Sequence, residues 1–212
     1  MHVVQYSGPF GFIKPWTAVR DSETFSQQFL TPSIIEGMEK KIFPELLDKH
    51  GYPGRIIRHR LSYCGLDSQQ EQTQPKAWSS KNTGSIQDGT KATIFSRPRS
   101  ILTRGTMIKP ILYLGFEDRE HAQKASTEHL CLCRNEDVIL PDPTIIEVTE
   151  EDFDRTDPYR FNDTLYSFHG FELRFGENDR SFLVGYNRFR DPVEPMYGWL
   201  HIVGNPIRSE EE

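Results

Sequence analysis

Residues 29–43, FLTPSIIEGMEKKIF, are the one long stretch of the chain with a helical rhythm, and a single amphipathic helix set among strand patterns narrows the fold more than any other feature. Thr31 is placed to accept a backbone N–H as an N-cap, and Pro32 follows at the first helical position, where its missing donor costs nothing. Ile34, Ile35, Met38, Ile42 and Leu46 then recur at the spacings of a helix that buries one stripe. Gly37 lies one residue off that stripe and costs roughly 1 kcal/mol against alanine. Either the helix packs there too closely for a Cβ, against protein backbone or a ligand, or the glycine is neutral drift.

The segments around the helix read as strands. HVVQYSG at 2–8 is a first strand, and RIIRHRLSYCG at 55–65 alternates, with Ile57, His59, Leu61 and Tyr63 on one face and Ile56, Arg58, Arg60 and Ser62 on the other. That pattern predicts a half-buried strand with a basic outer face. Residues 66–90 are polar and rich in Gln, Ser, Gly and Thr, a long loop or protruding hairpin. Its one large aromatic, Trp78, stands between Lys76 and Lys81 and is either a base-stacking group or a ring that folds back to anchor the loop. More strand follows, then a short helix from about Glu117 and an acidic, proline-containing connector at 134–163. TLYSFHGFELRF and RSFLVGYNRFR are expected to form a hairpin about GEND, with GWLHIVG as a last strand. This order predicts one α+β domain over 1–212, an antiparallel sheet with one packed helix.

Charge is unevenly spread. The net charge is −6, yet residues 1–109 carry +6 and residues 110–212 carry −12; the stretch 55–109 alone carries +7. Such asymmetry suits a basic surface for a polyanion, or else a solvated charged surface. The sequence has no long apolar run and no secretory leader pattern, so a cytoplasmic protein without a membrane segment is expected. Cys64, Cys131 and Cys133 lack disulfide or zinc spacing, and CLC reads as alternate strand positions, so no metal and no cofactor is expected. Phosphate-loop, zinc-protease and serine-hydrolase motifs are absent from the sequence. Metal-free RNA cleavage needs only a base, an acid and a cation acting on the RNA's own 2′-OH, and His59, Tyr63, His169 and Lys91 are its candidates. The residues expected to meet RNA are Lys14, Trp16, Arg55, Arg58, Arg60, Lys76, Trp78, Lys81, Lys91, Arg97, Arg99 and Arg104.

In order along the chain, SGPFGFIKPWT, SETFSQQFLTPSIIEGMEKKIF and the basic strand resemble the N-terminal region of a CRISPR-associated subunit. That subunit caps the 5′ handle of the guide RNA in type I surveillance complexes. ILYLGFEDREHA, LYSFHGFEL and RFRDPVEPMYGWLHI are similar to later segments of its type I-C branch. The resemblance implies a RAMP-type, ferredoxin-like core, a thumb within 64–92 and C-terminal strands over 164–206. It implies crRNA 5′-handle binding, and as partners the Cascade backbone subunits, the large subunit and target DNA near the protospacer-adjacent motif. It also implies that Gly37 matches a glycine brought close to sheet or RNA backbone. The type I-C branch cleaves guide precursor with a tyrosine and a Lys-His pair. Here those positions read Phe43 and Lys91-Ala92. The expected function is therefore a non-catalytic RNA-binding subunit; the alternatives are a metal-independent endoribonuclease for precursor crRNA and an unrelated ferredoxin-like interaction protein.

Overall fold

Val4 and Tyr6 point to one side of the first strand and Val3 to the other, and all three are fully buried, so β1 (His2–Ser7) runs through a sheet covered on both faces. The computed structural model describes residues 1–15, 23–48, 54–73, 79–82, 93–96, 100–187 and 193–209. After β1 come β2 (Phe10–Gly11), β3 (Glu23–Phe25), helix α1 (Pro32–Ile42), β4 (Ile56–Ser62), β5 (Gly65–Thr73), β6 (Ser79–Asn82) and β7 (Thr93–Ser96). The chain continues with β8 (Ser100–Ile108), β9 (Ile111–Phe116), α2 (Arg119–Ala125), β10 (Leu130–Cys131), β11 (Val138–Glu147) and α3 (Glu150–Phe153). It ends with β12 (Tyr159–Phe161), β13 (Thr164–Tyr166), β14 (Gly170–Phe175), β15 (Phe182–Asn187) and β16 (Glu194–Val203).

The protein is α+β and dominated by antiparallel sheet. The main sheet runs β10-β11-β1-β9-β4-β14-β16-β15. One face carries α1 and α2: Ile35, Met38, Ile42 and Ala122 pack on Val4, Tyr6, Leu61, Leu112 and Leu114. The other carries a smaller core in which Phe153 of α3 and Phe168 cover Val3, Tyr113 and Ile146. Burial of these apolar chains, at about 25 cal/mol per Å² removed from water, is the main force holding the layers together. The polar segment after β4 is a hairpin arm, with β5 and β8 antiparallel from Gly65↔Ile108 to Thr73↔Ser100 and β6 paired with β7 further out. Among the described residues no helix is long and apolar enough to cross a membrane.

Several expectations need correction. β4 is not half-exposed: a bulge between Ile56 and Arg58 turns Ile57 outward, puts Ile56 on the helix-covered face with His59 and Leu61, and leaves Arg58 and Arg60 buried on the other. The expected hairpin about GEND does not form, because β16 has the length to pair with β14 on one edge and β15 on the other, and takes the slot between them. The 134–163 connector contains β11, whose Pro141 and Pro143 disguise a strand; the register with β1 shifts from Val4↔Ile145 to Tyr6↔Pro141, carrying the chain past them. Thr31 does sit at the N-cap of α1, but its hydroxyl pairs with Ser33 Oγ at 3.1 Å and not with a backbone N–H.

Gly37 is not closely packed: a Cβ there would meet no heavy atom within 4 Å. The close approach belongs to Gly170, which has φ +149° and whose Cβ would come within 2.5 Å of the Leu61 carbonyl oxygen. Gly37→Ala is therefore expected to stabilise the protein by roughly 0.5–1 kcal/mol. Gly170→Ala is expected to destabilise it by about 2 kcal/mol or more. Urea unfolding of the two variants checks both signs.

Candidate functional site

Arg58 and Arg60 leave β4 on the side away from α1 and α2, where Glu172 of β14 and Asp154, just past α3, meet them. Arg58 donates from Nε to Glu172 Oε1 at 2.6 Å and from Nη2 to Asp154 Oδ1 at 2.5 Å and Glu172 Oε2 at 2.8 Å. Arg60 is fully buried; its Nη1 donates to the carbonyls of Phe153 (2.6 Å) and Phe168 (2.8 Å), and its Nη2 to Asp154 (2.7 Å) and Glu172 (2.9 Å). Arg174 adds a bond from Nη2 to Asp154 Oδ2 at 2.7 Å, and His201 Nε2 stands 3.5 Å from Asp154 Oδ1. Both guanidiniums of β4 also lie over the Phe153 ring, at 4.9 and 4.3 Å.

Burial alone would raise the Glu172 carboxyl, but the bonds and charge of Arg58, with the charge of Arg60, bring it down to about 2. Asp154 is likewise held well below the usual carboxylate range, against its burial, by Arg60, Arg58 and Arg174. Asp154, Glu172 and His201 could offer three metal-ligand atoms within 4.8 Å of one another. Three guanidiniums already supply the positive charge at those carboxylates, so the donor set suits an ion-pair network and not a cation. The expected phosphate contacts at Arg58 and Arg60 are thus overturned, since both charges are spent inside the protein.

A second cluster surrounds Phe43, which ends α1 and is buried. Arg55 lies over its ring at 4.4 Å and Lys124 Nζ at 5.2 Å, while the His121 ring meets it edge-on at 5.2 Å. Glu45 bridges the two cations, at 2.7 Å from Arg55 and 3.1 Å from Lys124, and those bonds hold its carboxyl at about 2. Of the other expected RNA contacts, Lys14 is exposed, and Arg104 bonds Glu71 at 3.2 Å with its guanidinium 5.6 Å from the Phe12 ring. Lys81 falls in β6, its side chain outside the described residues, as are Trp16, Lys76, Trp78, Lys91, Arg97 and Arg99 entirely.

The catalytic candidates His59 and Tyr63 are both buried, at 4% and 1% exposure. Burial, with Arg58 and Arg60 nearby and against the pull of Glu172, lowers His59 to about 4; burial pushes the Tyr63 phenol up. Neither can hand a proton to a surface-bound strand. His169 serves the fold, with Nε2 2.8 Å from the Thr156 carbonyl. Sequence reasoning missed Asp154, Glu172, Arg174 and His201, and missed His121 and Lys124 beside Phe43. One signal existed: FELRF sets two charges at alternate positions of an apolar strand, which is how a buried ion pair reads.

Neither a protein-family description nor a curated protein matches the sequence. A chain of a solved structure titled a CRISPR RNA-guided surveillance complex superposes with a TM-score of 0.48 and 12% identity, covering 96% of this chain and 90% of that one. A likeness at that score and identity assigns neither role nor partner to this chain.

Replacing Glu172 by Gln leaves two buried guanidiniums short of a counter-charge, with an expected loss of about 3–5 kcal/mol. The pH dependence has two parts. His59 has a folded pKa below its free value, so its contribution is complete above about pH 6.5 and is lost as pH falls towards about 4. Glu172 contributes above about pH 4.5 and its share is lost as pH falls towards about 2. Thermal melts from pH 7 to 2 should fall through both windows, and Glu172→Gln should make the lower fall shallower, leaving the share of Asp154, and lower His59 further.

Proposed function

We propose that this chain is a non-catalytic RNA-binding subunit of a type I CRISPR surveillance (Cascade) complex, built on a ferredoxin-like core, that holds the 5′ handle of crRNA. The observation that carries the reading is the order of elements. β1, α1, β4, β9, α2 and β11 follow one another as strand-helix-strand-strand-helix-strand, and their four strands lie side by side as β11-β1-β9-β4, with both helices on one face. Such a core is the one the sequence resemblance implies. Two additions support it: the β5–β8 arm starts within the 64–92 stretch expected to form a thumb, its return strand β8 lying beyond that stretch, and β14, β16 and β15 extend the sheet within the expected C-terminal region. Backbone subunits and a large subunit are the proposed protein partners, and RNA the proposed ligand.

Phe43 supports a holding role over a cutting one. The position where the resemblance expects a tyrosine carries a ring without a hydroxyl, packed against Phe116 and His121. Cleavage by an acid-base pair needs groups that can reach the RNA, and His59 and Tyr63 cannot.

Gel-shift titration is expected to show handle-containing RNA bound several-fold more tightly than unrelated RNA of equal length. Equal affinity for both, or no binding, refutes handle recognition. Repeat RNA incubated with the protein in EDTA is expected to stay intact, and site-specific cuts would favour the endoribonuclease reading.

A further inference from the structure

β4 and β14 share a single ladder pair, Leu61↔Phe171, and towards the Ile56 end of β4 a cleft of about 440 Å³ opens between them. That volume falls within the ~300–1,000 Å³ of small-molecule sites. Its apolar lining comes from Ile57, Phe175 and Trp199, of which Ile57 is 41% and Phe175 37% exposed. Two charged groups that line it have bonding capacity to spare. The Glu150 side chain is three-quarters exposed and stands 3.9 Å from Arg58 Nη1, beyond hydrogen-bond distance. Arg174 commits Nη2 to Asp154 and directs Nε at Glu172, 3.5 Å away, while its Nη1 has no hydrogen bond among the described residues. Arg58 and Glu172, also in the lining, neutralise each other.

We infer that this cleft binds a guanine base. A flat ring suits the Trp199 indole, which stands opposite Arg174 in the β14–β16 ladder and so shares its face of the sheet. Guanine presents two acceptors, O6 and N7, on one edge, the pair a guanidinium such as Arg174 binds. Its neighbouring edge presents two donors, N1–H and the N2 amine, which an exposed carboxylate such as Glu150, only loosely paired with Arg58, accepts. Adenine replaces the O6 acceptor with a donor and has no N1–H, so it fails both partners; the pyrimidines lack the N7 edge. The base can belong to a free guanine nucleotide or to a nucleotide turned out of a bound RNA. The recognition chemistry is the same, and it does not depend on the handle reading.

The test uses the full chain. GMP, IMP and AMP are titrated by calorimetry, and short oligoribonucleotides with a central G or A by fluorescence anisotropy. Guanine is expected to bind about tenfold more tightly than adenine in the series that responds, and IMP, which lacks the N2 amine, to fall between GMP and AMP. Glu150→Gln, an exposed change that spares folding, should weaken guanine binding by roughly fivefold and leave adenine unaffected. Trp199→Phe should retain binding that Trp199→Leu loses, with circular dichroism confirming that each variant folds. Saturation by GMP identifies a free nucleotide as the source, whereas guanine-dependent binding of the oligonucleotide alone identifies RNA. Equal affinity for guanine and adenine, no effect of Glu150→Gln, or no saturable binding in either series overturns the inference. The last result, obtained while handle RNA still binds, overturns the base site alone.

Discussion

Glu172 sits between two arginines of a strand to which its own strand is joined by one ladder pair. Where β4 and β14 stop exchanging backbone hydrogen bonds, side chains take over. Arg58 and Arg60 reach across to Glu172, and Asp154 closes the group from α3. The strands beyond this seam, β14, β16 and β15, are held by that cluster, by the contact of Phe171 with Tyr63, and by the backbone bonds that Tyr63 exchanges with Pro206 and Arg208 just past β16. Arg60 also binds the carbonyls of Phe153 and Phe168, so the same charges fix the aromatic core that covers the second face. A buried network of this kind is weak evidence of net stability but costs several kcal/mol when one member is removed. It is better understood as fixing which parts of the chain meet.

The second cluster obeys a different rule. Around Phe43 the cations are partly exposed and share one exposed carboxylate, so their mutual attraction is screened by water. The packing of the ring is what matters there. α1 ends on a buried phenylalanine that contacts β9 through Phe116 and α2 through His121, tying the two helices together at one corner of the sheet.

How much of this was legible in the sequence differs from segment to segment. The stripe of α1 was readable because helical spacing depends on local geometry, and Ile35, Met38 and Ile42 are buried as that spacing requires. The alternation of β4 was equally visible and holds from Arg58 onward, but the bulge at Ile57, which puts Ile56 on the apolar face, leaves no trace in composition. Pairing was the least readable level. The turn signal GEND marks where β14 stops, but β14 and β15 both run antiparallel to β16, so the chain keeps its direction across GEND, and nothing local says that it will cross to the other edge of a strand not yet made. Arg58 and Arg60 looked like surface charge because their partners, Asp154 and Glu172, lie about a hundred residues away in sequence. Gly37 and Gly170 show the same limit: sequence reports where a glycine is, and only tertiary contact reports whether it is needed.

The place of β1 has a consequence for how the chain reaches this structure. β1 is an interior strand of the sheet, flanked by two strands made well after it, β9 at residues 111–116 and β11 at 138–147. During synthesis both of its edges wait, unpaired, until those later strands have emerged. α1 is complete long before the surface it covers exists, and its apolar stripe waits with β1. Such long-range closure slows folding and exposes strand edges to other chains. Assembly in the cell is therefore set late, by the arrival of residues 111–147, and the nascent chain before that point is the state most in need of protection.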